Sequence, residues 1–311
     1  MEYRRLGRTD LQLSVIGFGT APLGGEYGTL DLTEAERAVH LAIDEGITFF
    51  DTAAYYGRRL SEERLGGILE GRRQKVVLAT KCARFDKAVF DFSVARVRTS
   101  VEESLRLLRT DYLDLLTVHD IEFGEREEVV NQAVPAAREL QREGKVRYVG
   151  ISGLPLRILA DVAVRAKVDS VISYCHYNLL LRDVDTYLTP VLKEHGIGLI
   201  NASPLHMGVL TAQGPPPWHP APDSVKRAGR EIVDLLDTRG VYPATAALRF
   251  CLEHPYVSST LVGMVNRAEV EANLKALCFE LEPALLDQIN KVVAPVKDLT
   301  WPSGRPENSD A

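Results

Sequence analysis

Four residues stand where apolar runs give way to polar loops, and their types fit together as acid–base machinery: Asp51, Tyr56, Lys81 and His119. A phenol is a poor acid or base near neutrality, because its ordinary pKa is about 10. A neighbouring ammonium stabilises the phenolate and lowers that value, while a carboxylate can pair with the ammonium and hold it in place. Lys81 and Asp51 suit those two roles around Tyr56. An imidazole opposite the phenol can hydrogen-bond a substrate oxygen and fix its orientation, which suits His119. Taken singly, an Asp at a strand end often caps the next helix, a Lys there is often solvated and a Tyr usually packs. The joint placement is what points to chemistry.

Such a set works only on a scaffold that gathers several strand ends. Short Val-, Ile- and Leu-rich runs alternate with longer amphipathic segments along the whole chain, the pattern of βα units around a parallel sheet. Eight candidate strands lie near 15–19, 48–50, 76–80, 112–118, 147–151, 170–174, 198–201 and 259–262. Asp51, Lys81 and His119 directly follow the second, third and fourth, and Tyr56 lies in the loop after the second. The expected fold is α/β, a (β/α)₈ TIM barrel, whose active sites collect at the C-terminal ends of the strands. One helical pattern opens near Thr33-Glu34-Ala35-Glu36, a capping box out of register by one residue, and another runs over 93–108 with Ser93 as N-cap. Ahead of the first barrel strand, 3–6 and 11–13 flank the turn-rich Gly7-Arg8-Thr9-Asp10, a β-hairpin placed to plug the barrel's bottom. Residues 1–311 are read as a single domain, a length such barrels reach. Two Pro-bearing segments, 213–220 and 295–311, break the rhythm in the way of function-carrying loops. The tail beyond Ser303 is expected to be ordered only with substrate, or not at all.

Composition narrows the function. Hydrophobic residues make up 45% and charged residues 26% of the 311, enough for a large core and against disorder as the main state. A net charge of -6 with no long Lys/Arg block gives no footprint for nucleic acid or an anionic membrane, so a small neutral substrate fits better. The chain opens on no signal-peptide pattern and has no apolar run long enough to span a bilayer, so a cytoplasmic location is expected, as a monomer or weak homo-oligomer. Cys82, Cys175, Cys251 and Cys278 are far apart and form no Cys-x-x-Cys pair, so they read as reduced thiols. The histidines lack metal-site spacing, and no metal is expected. Gly17-x-Gly19 continues into Pro22 where a dinucleotide fingerprint needs a third Gly. No phosphate-cradling loop occurs, and Gly150-Ile151-Ser152-Gly153-Leu154 fails the spacing of a serine nucleophile elbow. Phosphoryl transfer and serine hydrolysis lose support.

Asp51-Thr52-Ala53-Ala54-Tyr55-Tyr56-Gly57, Ala79-Thr80-Lys81 and the strand-ending His119 together resemble the aldo-keto reductase superfamily. Gly17-Phe18-Gly19-Thr20, Ser203-Pro204-Leu205 and the stretch from Gly263 to Glu271 and Asn273 extend the resemblance over nearly the whole chain. It implies that Asp51, Tyr56, Lys81 and His119 are the catalytic tetrad, with Tyr56 exchanging a proton while hydride moves between substrate and a nicotinamide. It also implies cofactor contacts from Gly19, Thr20, Ser152, Tyr174, Ser203, Leu205, Gly263, Asn266, Glu271 and Asn273. Gly153 stands where Asn is common, Tyr174 replaces a common Gln, and Ala202 replaces a common stacking Tyr, departures shared by a sugar-oxidising branch. That branch is matched at 119–124, 172–177, 202–205, 213–216 with 218–220, and 295–297 with 299–304, and it implies NAD-dependent oxidation of a free aldose at C1 to its lactone, with L-galactose as the sugar. L-Fucose and D-arabinose are close competitors, because one missing hydroxymethyl costs little binding.

Asn266 replaces a residue often basic in NADP-using members, which favours NAD, with NADP as the alternative because Arg267 is adjacent. Asp120 and Trp301 are the candidate sugar contacts. Trp301 and Trp218 could each offer a flat apolar face or simply pin a loop. The rival readings are an NADPH-dependent aldehyde reductase and a cofactor-sensing subunit that serves partner proteins.

Overall fold

The structure, a computed structural model, describes residues 1–25 and 30–310. Of the C-terminal tail singled out above, Ala311 lies outside the described residues. The chain opens with an antiparallel hairpin of β1 (Tyr3–Arg5) and β2 (Gln12–Ser14). Eight parallel strands then close into a barrel: β3 (Ile16–Gly19), β4 (Phe49–Asp51), β5 (Val77–Cys82), β8 (Leu113–Val118), β9 (Val146–Gly153), β10 (Ser170–Tyr174), β11 (Gly198–Ala202) and β12 (Val257–Gly263). Between β5 and β8 a small second hairpin, β6 (Arg84–Asp86) and β7 (Val89–Phe90), rises from the same end as the loops that follow the strands. All eight expected barrel strands are present.

Strand periodicity divides the side chains. Phe49, Ala79, Leu115, Ile172, Ile200 and Leu261 form one buried cluster inside the barrel, joined from below by Leu6, Leu11 and Leu13 of the first hairpin. That hairpin is therefore the expected plug. It is tied in by Arg8 N–H to Gly196 O (2.9 Å) and by the Arg4 guanidinium, which donates to Leu252 O and His254 O, each at 2.9 Å. The opposite faces of the strands pack against helices whose apolar residues recur three and four apart. Helix Leu32–Asp44 buries Ala35, Ala38, Val39, Ala42 and Ile43.

Helix starts show where side-chain chemistry decides the boundary. Ser93 caps Val94–Leu108 as expected, accepting from Arg96 N–H. The first helix starts instead at Asp31, whose carboxylate accepts from the N–H groups of Thr33 and Glu34. A charged acceptor wins over the Thr33-based box because it satisfies two orphan N–H groups and complements the helix dipole.

Residues up to Asp310 are laid across the strand ends and bonded there: Arg305 N–H donates to Glu122 O (2.9 Å), Asn308 Nδ2 to Glu122 O and Gly124 O (both 3.0 Å), and Arg157 N–H to Asp310 Oδ2 (3.1 Å). Gly304, at φ +77°, lies so close to the Glu122 backbone that any β-carbon would collide with it. The segment, which carries the short 3₁₀ turn Pro306–Asn308, is thus held by backbone and side-chain hydrogen bonds, most of them to the loop at Glu122 and Gly124.

Candidate active site

Asp51 ends β4 and Lys81 sits near the end of the adjacent β5, so the register that pairs Asp51 with Ala79 sets the carboxylate beside the ammonium. Lys81 Nζ donates to Asp51 Oδ2 (2.5 Å), to Thr52 O (2.8 Å) and to the Tyr56 hydroxyl (3.2 Å). An ammonium has three donors and no acceptor, so these contacts use its full capacity. Asp51 is 2% and Lys81 3% exposed, which makes this a desolvated ion pair. Tyr56 is brought to it by a turn in which Tyr56 N–H bonds Ala53 O (3.1 Å) and Ser61 N–H bonds Tyr56 O (3.3 Å). Gly57, at φ +57°, lets that turn press against Gly24, where a side chain would not fit.

Burial dominates the electrostatics here. It pushes the Asp51 carboxyl up, with Lys81 pulling the other way. On Lys81 burial alone would lower the ammonium's pKa, but Asp51 and Tyr56 together hold it above its ordinary value. For Tyr56, burial raises the phenol above its ordinary value and Lys81 offsets only part of that. This corrects the expectation of a net lowering: in the protein alone, desolvating a phenolate costs more than one ammonium already shared with Asp51 returns.

His119 follows β8, its N–H bonded to Cys82 O (3.0 Å), and its ring meets that of Tyr56 edge-on with centroids 6.1 Å apart. Burial pushes its pKa down to about 3, so it is neutral at physiological pH. A neutral imidazole can donate a hydrogen bond to a substrate oxygen without competing for Lys81's partners.

Around these four the structure gathers further polar groups. Asp120 is 2% exposed, holds an unusual left-handed backbone (φ +51°) and ion-pairs with Arg84. Its Oδ1 lies 3.7 Å from His119 Nε2, and its N–H donates to Ser152 Oγ at 3.3 Å. Glu122 is fully buried; its Oε1 accepts from Leu154 N–H (3.2 Å) and from Ser303 Oγ (2.9 Å) of the tail. Burial first, and then the Asp120 charge, push its carboxyl up to about 8. Its other oxygen comes against Gly153, where a β-carbon would lie only 2.5 Å away. Gly153 therefore makes room for Glu122. Tyr174, at the end of β10, faces the same acidic pair, and burial together with Asp120 and Glu122 pushes its phenol well up.

The remaining expected cofactor positions spread around the rim. Gly19 and Gly263 pair across β3 and β12. Gly263 is exposed, and a β-carbon there would touch Pro22 at 3.0 Å, so the rim is bare backbone of the kind a pyrophosphate can approach. Ser203 takes φ +59° after β11, and Leu205 is half-buried beside it. Thr20 is buried, its hydroxyl committed to Asp51 O (3.0 Å) and Ser61 (2.8 Å), so it braces the strand beneath Asp51. Asn266 caps the helix Arg267–Lys275, accepting from Glu269 N–H at 2.9 Å; Glu271 is exposed and Asn273 buried on that helix. Trp301 is buried edge-on against His206 and His219, with ring centroids 5.5 and 5.4 Å away, so it pins the two irregular loops to each other. Trp218 is 57% exposed and stacks on His219.

Arg84 and Glu122 were missed by sequence reasoning. Arg84 lies three residues beyond Lys81 at the start of the β6–β7 hairpin, and its side chain meets Asp120 and the Tyr55 ring. Glu122 had a visible signal, an acidic residue two after Asp120 next to an apolar run, which burial turns into a tail anchor.

The sequence pattern of the aldo/keto reductase family matches residues 15–294. The chain belongs to that family. Among curated members it is 44% identical to L-galactose dehydrogenase of Arabidopsis thaliana over 99% of both chains, and 27% identical to D-threo-aldose 1-dehydrogenase of a Pseudomonas species, covering 88% of this chain and 92% of that one. Among solved structures, the holo form of aldo-keto reductase AKR11C1 from Bacillus halodurans superposes with a TM-score of 0.77 at 30% identity, covering 94% of this chain and 96% of that one. As a family member this is an oxidoreductase that works with a nicotinamide cofactor on a small molecule. No helix among the described residues is long and apolar enough to cross a membrane.

Glu122 gives a testable linkage. Its folded pKa lies above that of an exposed glutamate, so the stability it contributes is full below about pH 4.5 and is lost as pH rises through about 8. Glu122→Gln keeps the acceptor for Leu154 and Ser303 but cannot ionise. Its melting temperature relative to the parent protein is therefore expected to climb from pH 5 to pH 9, whereas a constant offset would show that the carboxyl does not titrate there.

Proposed function

We propose that the protein oxidises a free aldose, L-galactose foremost, at C1 to its lactone with NAD. The observation that carries the reading is the buried contact of one ammonium with both Asp51 and the Tyr56 hydroxyl, joined to 44% identity with an L-galactose dehydrogenase over 99% of both chains. Residues 1–311 act as one catalytic unit, in the cytoplasm. Tyr56 takes the proton of the anomeric hydroxyl as C1 gives up hydride, so the C1–O single bond becomes the lactone carbonyl. The oxidised nicotinamide, when bound, supplies the hydride acceptor. Lys81 stabilises the phenolate and Asp51 keeps Lys81 charged and aimed. His119 donates a hydrogen bond to the reacting oxygen, and Asp120 takes a sugar hydroxyl. Ser152 and Tyr174 at the ends of β9 and β10, and Gly19, Ser203, Leu205, Gly263, Glu271 and Asn273 around the rim, are the positions that would hold the cofactor.

The helix start at Arg267 supports NAD over NADP. Arg267 is committed to Glu34, through Nε to Oε1 (2.9 Å) and Nη2 to Oε2 (3.3 Å), while its N–H also donates to Glu34 (3.2 Å). Val265 N–H is taken by Glu269 (2.7 Å). Two carboxylates thus occupy the donors that a 2′-phosphate would use, and Asn266 adds no charge.

One observation favours a second reading. A phenol kept protonated by burial is ready to give a proton to an aldehyde, as a reductase requires. Initial rates of reduced-cofactor formation with L-galactose, L-fucose, D-arabinose and D-galactose, each with NAD and NADP, separate the two. NAD-linked turnover of L-galactose or its near relatives supports the dehydrogenase. Silence on all four sugars with NADPH-linked aldehyde reduction intact would replace it with the reductase.

Tyr56→Phe is expected to bind cofactor nearly as the parent does and to lose at least 10³-fold in kcat. Because the general base has a raised pKa, oxidation in the parent should quicken as pH rises through the alkaline range, and that limb should vanish in the variant; parent-like rates would refute the role. Asn266→Arg should raise kcat/KM with NADP and tighten NADP binding measured by fluorescence titration, more so when Glu34→Gln frees Arg267. An unchanged ratio of NAD to NADP dissociation constants in the double variant would remove the argument from this helix.

A further inference from the structure

Arg84 is a charged group at the mouth that the reaction above does not use. It opens β6, just after Ala83 turns the chain at φ +76°. Its guanidinium donates through Nη1 to Asp120 Oδ2 and lies over the Tyr55 ring at 4.0 Å, with Phe90 and Phe123 at 5.3 and 5.8 Å. A pair this buried recovers little of its desolvation cost as stability, so its presence beside a reacting centre calls for another use. Half of the pair is unspent. Asp120 Oδ1 and Arg84 Nε are both buried without a hydrogen-bond partner. The free Asp120 oxygen is the one 3.7 Å from His119 Nε2.

That spacing suits two oxygens on neighbouring carbons of one molecule, which stand about a hydrogen-bond length apart. With the reacting oxygen against His119 and Tyr56, a hydroxyl on the next carbon meets Asp120 Oδ1 and donates to it. The backbone of Asp120, held in a left-handed turn and bonded to Ser152 Oγ, gives the carboxylate little freedom to swing away. We propose that the Arg84–Asp120 pair reads the hydroxyl adjacent to the reacting carbon, and so sets the substrate class as 2-hydroxy aldehydes and the aldoses built on them. Asp120 touches that hydroxyl, while Arg84 is a positioning residue that fixes Asp120 through its other oxygen. The placement of the reacting oxygen rests on the reading of Tyr56 and His119 given above. A substrate lacking the hydroxyl leaves a buried carboxylate oxygen unpaired, and sites built to bond a hydroxyl reject the analogue without it strongly.

Propanal and 2-hydroxypropanal differ by this one group, and reduction of each by the holoenzyme measures its worth. The parent is expected to favour 2-hydroxypropanal in kcat/KM by roughly 10²-fold or more. In Asp120→Asn the loss on 2-hydroxypropanal should exceed the loss on propanal by at least tenfold. Arg84→Lys, which keeps the charge but not the planar fork, should give a smaller loss of the same preference, with thermal melting confirming that both variants fold. Equal losses on the two aldehydes, or a parent with no preference, would overturn the proposal. If Asp120→Asn does not fold, an unaltered preference in Arg84→Lys would also overturn it. A parent that prefers 2-hydroxypropanal but leaves L-galactose untouched would sink the aldose reading while keeping this one.

Discussion

The site is organised around one buried positive charge. An ammonium taken out of water is tolerated only when each of its donors finds an acceptor, and Lys81 meets that demand with a carboxylate, a backbone carbonyl and a phenol. The three acceptors come from β4 and the loop after it, so the charge fixes how that loop leaves the barrel. Thr20, Thr52 and Ser61 then join hydroxyls beneath Asp51, at 2.8 and 2.9 Å, and carry the constraint to β3 and to the helix Leu60–Ile68. The turn bearing Tyr56 is therefore tied by hydrogen bonds to two neighbouring elements of the scaffold, so the place of its hydroxyl is set by the fold.

A second constraint balances the first on the far side of the mouth. Asp120 and Glu122 bring two carboxyls close together with Arg84 paired to the first, and burial resolves the conflict by favouring the protonated form of Glu122. Its side chain and its backbone carbonyl both take bonds from the tail. One loop after β8 thus carries His119, the Asp120 carboxylate and the anchor of the chain's last segment.

The barrel was legible because its signal is local: β-branched runs of strand length, separated by helical periodicity, mark all eight strands to within a few residues. The positions of Asp51, Lys81 and His119 at strand ends, and of Tyr56 in the loop after the second strand, were legible for the same reason, since they follow from counting along the chain. What stayed hidden depends on contacts between segments far apart in sequence. Nothing near Arg84 says which carboxylate it meets, nothing near Ser303 says that it bonds Glu122, and the net direction of the Tyr56 shift depends on how deeply the folded chain buries the phenol. Asp31 was passed over for a different reason, as two capping signals lay side by side and the charged one won.

The seating of the tail bears on how such a barrel can change over evolutionary time. Trp301, Ser303 and Gly304 reach the mouth from a segment that contributes no strand and no barrel-packing helix, and most of its bonds go to the loop after β8. A recombination that exchanged this segment would leave the strand ring and the Asp51–Lys81–Tyr56 cluster intact while reshaping one wall of the mouth. The exchange would succeed only between lineages that keep both a carboxyl at 122 and a glycine at 304, so these two positions should be inherited as a unit.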